Sequence, residues 1–320
     1  MLKAPAHFLL ILLCLSSCVK RKPPEVPDTP GRSQSESLTD DEGRTVSFDK
    51  PFARIISLYS AHTENLFALG AGSKLIGGHS TCDYPAEAAA LPVFEYSGDP
   101  EYVIAAAPDL VLIRPFIRRH NPAYIDALEK AGIPVVSLYP ETFGDFDGYI
   151  GRLALLAGVE AEAALAAFHS ELQGVRSAAS LIRERRTVFF ETTERETRTA
   201  APQSLPAVAI EISGGLNVAP DARPVSPLSS IASYGTERLL AQAEKIDAYI
   251  VQTGAMNPTK TLDALRRRAG FSGIKAVRDG NVLFIEERIV SSPIFRYLQG
   301  VKTIAHFLYP DEFKNPGPAR

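Results

Sequence analysis

The sequence predicts an α/β protein built as one α/β half, a long helix and a second α/β half. Three observations predict it. Short unbroken apolar runs alternate with helical stretches from residue 54 to about 138, the signature of a mostly parallel sheet covered on both faces. A single amphipathic stripe then occupies residues 160–183, with no Pro and one Gly. The strand–helix alternation restarts at residue 187 and runs to the C-terminal region.

The elements follow in order. The first 18 residues carry Lys3 and an apolar run from Phe8 to Leu15. That run is too short for a bilayer, which needs about 20 residues, and fits the h-region of a signal peptide. It ends in Leu15-Ser16-Ser17-Cys18, which looks like a bacterial lipobox. Cys18 is the expected lipidation site, and its acyl chains would hold the protein at a membrane surface. Residues 19–43 are rich in Pro, Ser and charge and poor in aliphatic residues, so they are expected to be a flexible tether. No later segment has 18 consecutive apolar residues.

The N-terminal lobe is expected over 44–142. RIISL at 54–58 reads as a buried strand, TENLFAL at 63–69 as a helix, LIGG at 75–78 and DLVLI at 109–113 as strands, 122–131 as a helix and PVVSL at 134–138 as a strand. A helical connection is expected over 143–184. Within it Leu165, Phe168, Leu172, Val175, Ala179 and Ile182 recur at intervals of three and four. A helix of about 24 residues would span roughly 36 Å. The C-terminal lobe, 185–320, begins with the strand TVFFE at 187–191 and a helix at 205–213 stopped by Gly214-Gly215. DAYIVQT at 247–253 is a strand, TLDALRRRAG a helix, VLFI at 282–285 a strand, and a last helix is opened by Pro293 and stopped before Pro310.

Composition narrows the functional classes. The net charge of −3 offers no basic excess for nucleic acid. Of three cysteines, Cys14 and Cys18 lie in the leader and Cys82 stands alone in the body. No C-x-x-C pair exists, which excludes a zinc ribbon or thioredoxin-like site. The histidines show no H-x-x-x-H or H-E-x-x-H spacing, so no metal site is expected. Gly70-Ala-Gly72 lacks the third glycine of a dinucleotide loop and ends a helix instead of opening one. With no G-x-S-x-G elbow and no P-loop, no catalytic residue or cofactor is expected.

The two halves echo each other. Glu101 opens a segment that leads through Ala to Asp109 and a buried strand; Glu237 opens one that leads to Asp247 and its counterpart. The halves read as structural repeats, each with a carboxylate at a helix start. Such carboxylates complement the macrodipole and cap free N–H groups.

The stretch RIISLYSAHTENLFALGAGSKLIGGHSTCDYPAEAAALPVF, followed by DPEYVIAAAPDLVLI, resembles the periplasmic binding proteins for vitamin B12, ferric siderophores and haem. The resemblance runs from about Arg54 to Asp311. It implies two Rossmann-like lobes joined by one rigid helix, a ligand held between them, and the substrate-binding role of an ABC importer. It also implies one surface Glu per lobe, here Glu101 and Glu237, docking onto the membrane permease dimer that works with ATPase subunits. Glu64 is expected to be a local helix-start carboxylate.

Ligands of open α/β sheets sit beyond the carboxyl ends of the strands. Tyr59 and His62 follow the first strand, Tyr96 precedes Glu101, and Arg114, Arg118 and Arg119 follow DLVLI. Glu194, Arg195 and Arg198 follow TVFFE. Arginines from both lobes suggest an anionic ligand or ligand periphery, and the tyrosines a macrocycle to stack on. The expected protein is an exported, lipid-anchored binder of an iron chelate or corrinoid on the periplasmic face. A tethered ligand sensor without a transport role and a direct Zn or Mn binder are the alternatives.

Overall fold

The computed structural model describes Met1 and residues 35–226, 229–314 and 317. Met1–Gln34 and Ser35–Arg320 separate as two units; the leader, with Cys18, lies outside the described residues.

Strands β1 (Glu36–Thr39) and β2 (Thr45–Phe48) pair antiparallel. The tether expected up to residue 43 therefore gives way to folded chain by Glu36. Leu38 enters the main core, and the buried Asp40 carboxylate accepts the N–H groups of Glu42, Arg44 and Ser137 at 2.9, 2.9 and 3.1 Å. Leu38 and Phe48, with Val46 packed beside them, and one capping carboxylate fix this hairpin.

The N-terminal lobe continues with β3 (Ile55–Ser57), α1 (Ser60–Ala68), β4 (Leu75–Gly78), α2 (Glu101–Ala105) and β5 (Leu110–Ile113). Helices α3 (Pro115–His120) and α4 (Pro122–Lys130), strand β6 (Val135–Ser137) and helix α5 (Phe146–Ala157) complete it. Its sheet, in order β4-β3-β5-β6, is wholly parallel. Every residue of β5 is buried, as a strand covered on both faces requires.

Helix α6 (Glu162–Ala179) connects the lobes. Its 18 residues span about 27 Å, shorter than the expected 24 residues. The last turn tightens, with Leu181 N–H and Ile182 N–H reaching back only three residues to Ala178 and Ala179. Ile182 still packs on the core while Leu181 is exposed.

The C-terminal lobe comprises β7 (Thr187–Thr193), β8 (Arg198–Ala200), α7 (Leu205–Ile212), β9 (Leu216–Asn217), β10 (Arg223–Pro224) and β11 (Ile231–Ser233). It goes on with α8 (Thr236–Leu240), β12 (Ala248–Thr253), α9 (Leu262–Arg266), α10 (Lys275–Asp279), β13 (Val282–Glu286), α11 (Glu287–Ser291) and α12 (Tyr297–Leu308). Its sheet is mixed. β7, β12, β13 and β9 pair parallel, whereas β8, β11 and β10 extend it antiparallel. The last helix does not open at Pro293. That residue lies between α11 and α12, and its carbonyl accepts the Asn65 side chain at 2.8 Å.

The echo between the halves has a structural meaning. Asp109 accepts the N–H groups of Ala53 and Arg54, both at 2.8 Å, just before β3. Asp247 accepts Thr187 N–H at 2.9 Å as β7 begins. Each aspartate thus ties the start of one central strand to the start of its neighbour.

One apolar core runs through both lobes, uniting Ile55, Leu110 and Val136 with Val188, Ile250 and Val301. Phe146 of α5, Phe168 of α6 and Phe295 lie with ring centroids 5.0–5.8 Å apart at the junction. Separate clusters fill the outer face of each sheet. Among the described residues no helix is long and apolar enough to cross a membrane.

Candidate ligand-binding cleft

A cavity of about 960 Å³ opens between the lobes. Its lining comes from the residues that leave the carboxyl ends of β3, β4, β5 and β6 on one side and of β7, β12 and β13 on the other. This is where chain reversal exposes backbone and side chains that no neighbouring strand covers.

The N-terminal wall is aromatic. Tyr59 and Tyr139 face each other at 6.2 Å, and Tyr96 stacks on His79 at 5.2 Å. The Arg114 guanidinium lies 4.9 Å from the ring centres of both Tyr59 and Phe116, close enough for cation–π attraction to fix its plane. His79 is held on both nitrogens, by Thr81 at 2.9 Å and Glu95 at 2.9 Å. Burial pushes the Tyr59 phenol well above its usual pKa, so it stays a neutral hydroxyl.

The C-terminal wall is polar. Gln252 accepts from Ser291 at 2.6 Å, and Thr253 donates to the Ile285 carbonyl at 3.1 Å. The loop carrying Gly254 and Met256 is anchored from behind by the fully buried Glu191. Its carboxylate accepts from Tyr249, Asn257 and Arg268 at 2.5, 2.9 and 2.6 Å. The charged groups of the whole lining balance: Arg114, Lys260 and Arg288 against Asp83, Glu286 and Glu287. Arg288 is engaged with both Asp83 and Glu286. Burial raises the Glu287 carboxyl above its ordinary value, against the opposing pull of Arg114 and Arg288.

The residues expected at the cleft divide. Tyr59, Tyr96 and Arg114 line it. His62 lies behind Tyr59, fully buried, with Nε2 2.9 Å from the Leu138 carbonyl. Arg118 turns away on α3 to pair with Glu42 and Glu129, both at 3.0 Å, and Arg119 is exposed outside the cavity. Arg195 and Arg198 lie outside the lining too. Between them Glu196 takes a left-handed backbone, φ 60°, and pairs with both, closely with Arg198 at 2.6 Å. Glu194 accepts from Thr259 at 2.8 Å. Of the five expected arginines only Arg114 faces the cavity; the arginine that lines it from the other lobe is Arg288, whose charge Asp83 and Glu286 already engage.

Tyr139, His79, Lys260 and the Glu286–Arg288 segment were not singled out by sequence reasoning. All follow apolar runs that read clearly as strands, which was the available signal. Glu64 has a larger role than a helix-start carboxylate: it receives two bonds of 2.6 Å from Arg296 of the other lobe. Glu101 and Glu237 are exposed in the first turns of α2 and α8, away from the cavity. Cys82 is buried against the Thr63 hydroxyl at 3.1 Å, and burial raises its thiol pKa. Among the described residues no three His, Cys, Asp or Glu side chains gather as a metal site.

Comparison with known proteins agrees with this architecture. The chain is 25% identical over 97% of its length, and 97% of the relative's, to an uncharacterized ABC transporter substrate-binding lipoprotein, YvrC, of Bacillus subtilis. It is 31% identical to a vitamin B12-binding protein of Vibrio parahaemolyticus over 53% of this chain and 62% of that relative. A possible iron-binding (periplasmic solute-binding) protein of Staphylococcus epidermidis has the same fold, with a TM-score of 0.71 at 21% identity over 81% of this chain and all of that one. The family model for periplasmic binding proteins matches residues 55–289, most of both lobes. The chain therefore belongs to the periplasmic binding protein family.

Proposed function

We propose that the protein is the substrate-binding component of an ABC importer, and that its ligand is a large, nearly neutral macrocycle of the corrinoid class. The observation that carries the reading is the lining of the cleft: an aromatic wall facing a polar wall, with three cations matched by three carboxylates. A polyanionic chelate would leave its charges uncompensated there, whereas a conjugated ring stacks on Tyr59 and Tyr96 and its amides find hydroxyl and carboxamide partners opposite. A volume of about 960 Å³ suits a ligand at the large end of small-molecule sites. The vitamin B12-binding and transporter-linked relatives support the same reading.

Delivery to a permease is assigned to Glu101 and Glu237, exposed carboxylates that no ion pair engages among the described residues and that open equivalent helices of the two lobes. Exposed charges of this kind steer docking and fix its register more than they add affinity. Acylation of Cys18 would keep the protein at the membrane surface.

Titration of the purified protein with cyanocobalamin, followed by melting temperature, tests the ligand. A ligand at 100 times its dissociation constant adds about 2.7 kcal/mol to stability; no shift overturns the corrinoid assignment. Joint Glu101→Arg and Glu237→Arg substitution tests the importer. Uptake into cells should be lost while ligand affinity is unchanged, and uptake that survives the double change would overturn the docking assignment.

A further inference from the structure

Of the six charged side chains in the cleft, Asp83, Glu286 and Arg288 satisfy one another. Lys260 is exposed. Arg114 and Glu287 remain: both are half-buried, they come from opposite lobes, and neither has a hydrogen bond or ion pair among the described residues. Both line the one cavity, and no ion pair joins them among the described residues. Two opposite charges left apart on facing walls of a cavity have one evident use, which is to contact what fills it.

Each is set up for that contact. The Arg114 guanidinium is flanked by Tyr59 and Phe116 at 4.9 Å. Both rings favour its flat fork over any other arrangement and leave its N–H edge available for an oxyanion. The Glu287 carboxylate lies over Gly254, where an added Cβ would come 2.3 Å from Oε2. Glycine at 254 thus keeps the space that the carboxylate occupies.

We propose that Arg114 and Glu287 are the specificity determinants of the cleft. Arg114 receives a single oxyanion of the ligand. Glu287 accepts from a hydrogen-bond donor such as a primary amide and repels ligands whose periphery is anionic on every side. Selectivity then comes from a repulsive group as much as from an attractive one. The inference rests on the ligand reading above and adds to it which side chains do the selecting.

The test is calorimetric titration of the wild-type protein, Glu287→Gln and Arg114→Gln with cyanocobalamin, haemin and a ferric tricatecholate. Cyanocobalamin has one phosphodiester and a rim of primary amides; the other two are polyanions. Glu287→Gln keeps the shape of the side chain, and circular dichroism of both variants confirms the fold. The wild type should prefer cyanocobalamin. Glu287→Gln should weaken it about tenfold and strengthen the polyanions by a similar factor, the scale of one charge-assisted bond. Arg114→Gln should weaken cyanocobalamin and the polyanions alike. A wild type that binds none of the three overturns the ligand reading and this inference with it. A wild type that prefers cyanocobalamin, with a Glu287→Gln ligand ranking unchanged within about twofold, overturns this inference alone.

Discussion

His62 shows how far a single residue can set the behaviour of the lobe. Its Nε2 lies 2.9 Å from the Leu138 carbonyl, which can only accept, so Nε2 bears the proton. Nδ1 is buried and has no hydrogen-bond partner among the described residues. A second proton would sit there with no acceptor, and burial accordingly lowers the pKa to about 4. The unfolded chain binds that proton near pH 6.5, so between about 6.5 and 4 the unfolded state holds more protons than the folded one. Stability is therefore complete above pH 6.5 and falls as the pH drops through this window, by about 3 kcal/mol in all. His62→Gln, whose amide can donate to the same carbonyl, should flatten the fall in melting temperature between pH 7 and 4; an unchanged slope would place the acid sensitivity elsewhere. The position of His62 after a buried strand was legible in the sequence, but its direction was not. Arg114 and Arg118 are four residues apart on one short segment, and only the fold sends one to the cleft and the other to Glu42 and Glu129.

At the scale of elements, continuous apolar runs identified the central strands well, because a strand buried on both faces has no polar alternation to blur it. The β1–β2 hairpin escaped notice because it contributes few apolar residues to the core and draws its order from Asp40. The start of α12 was misplaced because Pro293 reads as a helix opener, whereas in the fold it lies early in the link between α11 and α12. That link is tight. A Cβ on Gly300 would come 2.1 Å from the Ile289 carbonyl oxygen, so Gly300 is what lets α12 lie against α11. Gly300→Ala has no flexible neighbour to push aside, since the obstacle is backbone. It should lower stability despite alanine's better helix propensity, which otherwise favours it by about 1 kcal/mol. A melting temperature at or above that of the wild type would show that the two helices have room to separate. Because α11 begins with Glu287, ligand affinity should fall with it.

At the scale of the molecule, the question is how far the lobes can part. Two structures oppose a wide opening. The apolar core is continuous from β5 to β12 through Phe146, Phe168 and Phe295, and exposing even about 200 Å² of it would cost about 5 kcal/mol. Beside it, Arg296 grips Glu64 with two bonds of 2.6 Å, and Asn65 bonds to the Pro293 carbonyl and Phe295 N–H at 2.8 and 3.3 Å. Both partners of the ion pair are nearly buried, with side chains 13% and 8% exposed, so removing one strands the other charge, at a cost of about 3–5 kcal/mol. The α6 connection adds a helix that cannot bend sharply without Pro or a Gly/Ser pair. The lobes should therefore behave as a pre-organised clamp. Small-angle scattering with and without saturating ligand should give radii of gyration within about 1 Å of each other. Arg296→Met keeps the bulk of the stem but releases the grip, and it should enlarge the ligand-free form and widen that gap while weakening binding. A wild type that already compacts strongly on binding would mean that the aromatic junction slides instead of holding. In that case the Glu64–Arg296 pair would be a latch that ligand closes, not a permanent tie between the lobes.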